Sequence, residues 1–128
     1  MHKRISTKSF WEDAFGFSRA VDTGDTLYIS KTGPQTESGE IPLQDTYDQT
    51  NRCLKKIDKV LYEAGYKKED VIYSKMYLTS MDNWEEAGKA HGEFYNEIRP
   101  AFSLIQVNDF PDKEMIVAIE TIAKKISQ

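Results

Sequence analysis

The chain has 128 residues, 39% of them apolar and 30% charged, which is the composition of one globular domain with a real core. Its net charge of −4 argues against nucleic acid as a partner, because that partner asks for a basic footprint. The single cysteine, Cys53, excludes an internal disulfide, no Cys/His spacing fits a zinc site, and no apolar run reaches membrane-spanning length or forms a signal core behind Met1-His2-Lys3-Arg4. The expectation is a cytoplasmic, metal-free protein that forms one domain over residues 1–128.

Residues 1–14 are polar and mixed and read as a loose N-terminal arm, with Phe10 and Trp11 available to pin it. Phe15, Phe17, Arg19 and Val21 alternate with small residues, so 15–21 reads as a strand. Asp22-Thr23-Gly24-Asp25 is turn chemistry, and Thr26–Ser30 is the return strand of a hairpin. The connection from 31 to 44 is long for a small domain, as in a binding loop or one that contains a short strand, and Lys31 and Thr32 stand where the strand leaves the sheet.

Asp45 is an N-cap for a helix whose apolar stripe runs through Tyr47, Thr50, Leu54, Ile57, Leu61 and Ala64 and stops at Gly65. Cys53 beside this stripe reads as a small core residue. Val71–Leu78 is rich in β-branched and aromatic residues and reads as a strand. Asp82 and Glu85 have the spacing of a capping box for a second helix, with Trp84, Ala87, Gly88, His91, Phe94, Tyr95 and Ile98 on its apolar side. His91 is there either a hydrogen-bonded core residue or a proton carrier at a cavity.

Pro100 ends that helix. A strand follows in which Phe102, Leu104 and Gln106 face one way and Ser103, Ile105 and Val107 the other. After a turn at Pro111-Asp112-Lys113, Met115–Ala123 is almost continuously apolar, as in a strand covered on both faces, and Glu120 sits inside it. A carboxylate there must be paired, protonated or open to a cavity, and either serves structure or trades protons. Two helices can cover one face of a single sheet. An apolar second face then calls for another subunit, so the reading is a homo-oligomer with pockets at its boundaries.

Gly16-Phe17-Ser18-Arg19-Ala20-Val21 running into Gly24–Ser30, Leu61-Tyr62-Glu63-Ala64-Gly65, Arg99-Pro100-Ala101 and Val117–Ala123 together resemble the Rid family (reactive-intermediate deaminases, also called YjgF or L-PSP endoribonucleases) over nearly the whole chain. The resemblance implies a chorismate-mutase-like α+β fold with two helices on one face of a single sheet. It also implies a homotrimer around a central barrel, with ligand clefts between subunits. The implied activity is hydrolysis of 2-imino acids or their enamines to 2-keto acids and ammonia, without metal or organic cofactor.

Glu120 matches the family's water-handling glutamate and Ser30 its serine. Phe102 stands where the family has a carboxylate-clamping arginine, Lys31 where it has a glycine, and Phe17 where it commonly has a tyrosine. Gly88, His91 and Gly92 fit a subgroup without that arginine. The resulting expectation is a hydrolase acting on a small imine or enamine, with Glu120 and His91 carrying protons. Arg19, Lys31 or Arg99 would replace the clamp, Ser30, Thr32 and Phe17 would contact the ligand, and Phe102 would set specificity. A non-catalytic metabolite-binding trimer is the alternative, and a ribonuclease or translation inhibitor ranks below both.

Overall fold

A computed structural model describes residues 2–42 and 45–126. Six strands form one mixed sheet: β1 (Lys3–Ile5), β2 (Ala20–Asp22), β3 (Thr26–Thr32), β4 (Val71–Leu78), β5 (Ala101–Gln106) and β6 (Val117–Lys124). Their spatial order is β1-β2-β3-β6-β4-β5. The last strand therefore lies in the middle, antiparallel to both β3 and β4, while β5 pairs parallel with β4 at the edge. The β4–β5 pairing needs a crossover, and α3 (Trp84–Phe94) supplies it.

The hairpin of β2 and β3 forms where turn chemistry requires it. Asp22 Oδ1 accepts from the Gly24 amide (2.9 Å), and Gly24 sits at φ 113°, a left-handed region that favours glycine. Tyr66 then donates its hydroxyl to the same Asp22 oxygen (2.8 Å) and ties this turn to the end of α2 (Thr46–Glu63).

The helix α2 is capped by the Asp45 side chain, which accepts from the amides of Tyr47 and Asp48. Thr50, Cys53, Leu54, Ile57, Val60 and Leu61 are its buried face, a stripe at helical spacing. They pack on Leu27 and Ile29 of β3, Met76 and Leu78 of β4, and Val117, Ile119 and Ala123 of β6 in one apolar core. Cys53 lies inside this core, and burial raises its thiol pKa to about 12, which leaves it a packing residue.

Three local expectations change. Residues 10–15, expected as the end of a loose arm with Phe15 opening a strand, form a short helix, α1 (Phe10–Phe15). The Ser9 side chain accepts from the Glu12 amide, and Gly16 at φ 72° ends the helix, so capping outcompetes alternation and the strand starts only at Ala20. The residues ahead of α1 are attached through β1, paired with β2, and through Glu12. Phe10 and Trp11, expected as the pins, are 73% and 53% exposed, whereas Glu12 is 3% exposed and accepts from Ser6, Thr7 and the Thr7 amide.

The expected capping box at Asp82 does not form: Ser80 caps a single 3-10 turn over Met81–Asn83, and α3 begins after it with no side-chain cap. Trp84, assigned to the apolar stripe, is 53% exposed. Ala87, Ala90 and His91 are the buried residues of this helix.

The sheet face away from the helices is mixed in character. A second, smaller apolar cluster of Ile41, Phe110, Met115 and Ala118, with Tyr77 and Val107 against it, covers one end of that face under the loops. Gln49, fully buried on α2, holds the loop between β5 and β6 by donating to Glu114 O (2.9 Å) and accepting from the Ile116 amide (2.8 Å). The rest of the face carries Tyr28, Tyr73, Lys75, Glu120, Ile122 and Ile105, and Tyr28 is 51% exposed. The architecture is α+β, a single mixed sheet with its two long helices on one side.

Candidate active site

Residues of β6 alternate between the two faces. Val117, Ile119 and Ala123 enter the helix-side core, so Glu120 is turned the other way. Across the ladder it is flanked on both sides. On β4 its register partner is Lys75. On β3 the pairing jumps from Ile29–Thr121 to Thr32–Ile119, so two residues, Ser30 and Lys31, stand opposite Glu120 alone. This is a β-bulge, a device that re-aims side chains beside functional sites.

Uninterrupted alternation from Leu27 and Ile29 would turn Lys31 into the helix layer. The bulge turns it out instead, with its ammonium 5.5 Å from the ring centres of both Tyr77 and Phe110. Lys75 lies 5.8 Å from the same Tyr77 ring. The Tyr77 hydroxyl donates to Glu120 Oε1. Burial, and then this hydrogen bond to a carboxylate, raise the Tyr77 pKa to about 12, so it remains a phenol across the neutral range. One carboxyl, one phenol and two ammonium groups thus share a small patch of sheet. Such a cluster can bind an anion, orient water and relay a proton.

Arg19 stabilises the bulge. Its Nη1 donates to Ser30 Oγ (3.0 Å), Lys31 O (2.8 Å) and Thr32 Oγ1 (3.3 Å), and its Nε lies 3.9 Å from Glu12. Its side chain is 13% exposed and its guanidinium passes 5.7 Å from the Phe17 ring centre. Burial lowers the Arg19 pKa, and the Glu12 carboxylate opposes that shift. Of the three cations expected to replace the missing arginine, Arg19 is thus committed to backbone and hydroxyl groups of its own chain. Thr32, 1% exposed, serves the same bulge by donating to Ser30 O (2.8 Å). Beyond the bulge, Lys56 donates to Gly33 O (2.8 Å), and burial lowers its pKa to about 8.

His91, Phe102 and Arg99 lie elsewhere. Ser74 and Lys75 are neighbours on β4 and project to opposite faces; His91 Nε2 is bonded to Ser74 Oγ (2.9 Å), on the helix side. The imidazole is stacked on Phe102, with ring centres 4.2 Å apart and planes at 35°, and burial lowers its pKa to about 4. Within one chain His91 and Glu120 are therefore separated by the sheet, and His91 is neutral near pH 7. Arg99 is in the left-handed region at φ 55°, with Nε donating to Asn96 O (3.2 Å). His91, Tyr95, Arg99 and Phe102 border a pocket of about 290 Å³. Among the described residues there is no group of three or more His, Cys, Asp or Glu side chains able to hold a metal ion, and no helix is long and apolar enough to cross a membrane.

No motif in the sequence singles out Tyr77 and Lys75. The signal was present, because period-two alternation through Val71–Leu78 puts Tyr73, Lys75 and Tyr77 on one face. What was missing was the knowledge that β4 lies beside β6.

A mixed sheet with two helices on one face and an acid–base cluster at its centre on the other defines an α+β protein of YjgF type. The chain belongs to the endoribonuclease L-PSP family, whose model matches residues 9–125. It is 34% identical over 110 residues to a RutC family protein, PH0854, of Pyrococcus horikoshii, covering 85% of this chain and 86% of that one. It is 30% identical over 121 residues to an uncharacterized protein, SCO2049, of Streptomyces coelicolor, covering 94% and 90%. Rv2704 of Mycobacterium tuberculosis, a YjgF/YER057c/UK114 family member, superposes with a TM-score of 0.89 at 29% identity over 98% of this chain and all of that one. The structure of Escherichia coli TdcF with bound serine superposes with a TM-score of 0.79 at 25% identity over 86% and 88%.

Proposed function

We propose that this protein is an imine or enamine hydrolase of the deaminase type, acting on a small substrate with an anionic end in a cleft between copies of a ring-shaped trimer. The observation that carries the reading is the cluster around Glu120: a carboxyl bonded to the Tyr77 phenol, faced by Lys75 on one side and by the Ser30–Lys31 bulge on the other. Glu120 is the group that orients and deprotonates water, and general acid–base catalysis of this kind contributes about 10²–10⁴-fold. Lys31 and Lys75 supply the positive charge that an arginine at position 102 would have supplied. The serine bound to TdcF supports a small, carboxylate-bearing ligand in this family. The net charge of −4 speaks against RNA as the substrate, whatever the family's name suggests.

The trimer is supported by how the candidate residues divide. Phe17, Arg19, Ser30, Lys31 and Thr32 lie toward the β2–β3 side of the sheet, whereas His91, Arg99 and Phe102 lie at the β5 edge. A head-to-tail ring brings one side of each subunit against the other side of the next, and so closes two half-sites into one. It also covers Tyr28 and Ile105, which are 51% and 38% exposed in the single chain.

The test is hydrolysis of 2-imino acids generated in place by an amino-acid oxidase, with the molecular mass measured in solution and Glu120→Gln run beside the parent. Accelerated imine loss by a trimer, lost in the variant, supports the proposal; no acceleration by a well-folded trimer rejects it. Phe102 stacked on His91 favours a second reading, a trimer that binds a metabolite without turnover. Binding that Glu120→Gln leaves undiminished, with no imine loss, selects that reading.

A further inference from the structure

We propose that Lys31 is an amine nucleophile, which forms a covalent imine with the carbonyl or imine carbon of the substrate. The inference rests on the imine-hydrolase reading and goes one step further, from a lysine that attracts the substrate to one that bonds it.

Three features of the molecule converge on this lysine. The first is the bulge, which takes Lys31 off the helix-side register of Leu27 and Ile29 and sets it, with Ser30, opposite Glu120. The second is that the bulge is held from beneath: Arg19 spends three contacts on Ser30, the Lys31 carbonyl and Thr32, and Glu12 lies behind Arg19. A loop that served only to leave the sheet would need no such support. The third is what the amine meets. It lies over the faces of Tyr77 and Phe110, and Tyr77 is bonded to Glu120. An amine beside a carboxyl–phenol pair is the set of groups that imine chemistry on a lysine requires: a nucleophile, a base for its proton and an acid for the leaving group. Lys75, in register with Glu120, is placed to keep a positive charge at the site.

The step balances without any further reactant. The Lys31 ammonium gives up a proton to the bonded Tyr77–Glu120 pair, where Glu120 holds it. The free amine adds to the carbon of the substrate imine, giving a geminal diamine. Proton return from Glu120, with Tyr77 bonded to it, expels ammonia and leaves the substrate carbon double-bonded to Lys31 nitrogen. Water then adds to that carbon, the carbon–nitrogen bond to Lys31 breaks, and a carbonyl compound leaves. The sum is imine plus water giving carbonyl compound plus ammonia, with the lysine regenerated.

Run from the carbonyl side, the same bond can be trapped. The protein is incubated with pyruvate and sodium cyanoborohydride, and the adduct is located by peptide mass. One adduct per chain on the peptide carrying Lys31, formed faster than on exposed lysines such as Lys59, is the expected result. Lys31→Arg keeps the charge and removes the nucleophile; it abolishes the adduct and the imine turnover together. Glu120→Gln slows adduct formation by about 10²–10⁴-fold. Labelling spread evenly over surface lysines, or full turnover by Lys31→Arg, overturns the inference. Turnover that depends on Glu120 but yields no adduct leaves the hydrolase reading standing and removes only the covalent route. An adduct confined to Lys31 without turnover of any imine does the reverse.

Discussion

Strand β6 separates two environments that are built from similar residue types and behave differently. On the helix side lie Cys53, a thiol sealed in the apolar core, and His91, an imidazole buried against Ser74 and Phe102 at the wall of a pocket. Burial is the leading cause of both shifts, raising one pKa to about 12 and lowering the other to about 4, so neither ionises near neutral pH. On the opposite side Glu120, Tyr77, Lys31 and Lys75 are half-buried or exposed and close to one another. A titratable group sealed away from water becomes a packing element. One at a partly open face keeps contact with water and with its charged neighbours. The difference lies in the depth of burial and the company, which residue type alone does not report.

The largest effect expected on the open side is on turnover. Glu120→Gln lowers imine hydrolysis by about 10²–10⁴-fold and leaves the melting temperature close to the parent's, since an amide still accepts from Tyr77. A melting temperature that falls together with activity would place Glu120 among the structural residues and erase the contrast.

On the helix side the corresponding substitution acts on stability. Ile119, adjacent in sequence but fully buried, costs about 2–5 kcal/mol when cut to alanine, read as a shift of the denaturation midpoint. A loss within 0.5 kcal/mol, the range of ordinary surface changes, would show that the core is not where the packing puts it.

His91 sharpens the comparison through pH. Its folded-state pKa, about 4, lies below the ordinary value of 6.5. Between these values the unfolded chain binds the proton and the folded chain does not. Its contribution is therefore flat above about pH 6.5, and stability falls as pH drops from there toward 4, by on the order of 3 kcal/mol in all. Denaturation of the parent and of His91→Gln across this range measures it, and the difference between the two should grow as pH rises and level off above 6.5. A difference that is constant with pH would mean that the imidazole is not held neutral.

Smaller effects belong to the supports. Glu12→Ala removes the acceptor for Ser6 and Thr7, and hydrogen bonds to a charged group are worth about 1.5–3 kcal/mol each at most. Amide exchange of residues 3–9 should rise while that of α2 does not. Smallest of all is the exposed Lys113–Asp109 pair, 2.7 Å apart; Lys113→Ala should change stability by less than about 1 kcal/mol.

How much of this could be read from residues varies from place to place. The cap at Asp45, the stripe of α2, the strands around Val71–Leu78 and Val117–Ala123, and the turn at Asp22–Asp25 are local matters of hydrophobic period, capping and turn chemistry. They stood in the sequence as they stand in the fold. The family pattern pointed to Glu120 as well. Local signals failed where two of them competed, as at residues 15–19, where a helix capped by Ser9 and ended by Gly16 runs into the start of an alternating stretch.

What the sequence by itself determined is the α+β class, the positions of the long elements, and a carboxyl inside an otherwise nearly apolar strand. What only the tertiary structure decided is which strands meet. The central place of β6 sets Lys75, Tyr77 and the Ser30–Lys31 bulge beside Glu120. The same topology gives Arg19 Glu12 and the bulge as partners, and puts His91 behind the sheet. The physical reason is range: propensity and capping act over a few residues, whereas the partners of Glu120 are 43 and 45 positions away on β4 and about 90 on β3, and only the packing of the whole chain selects them.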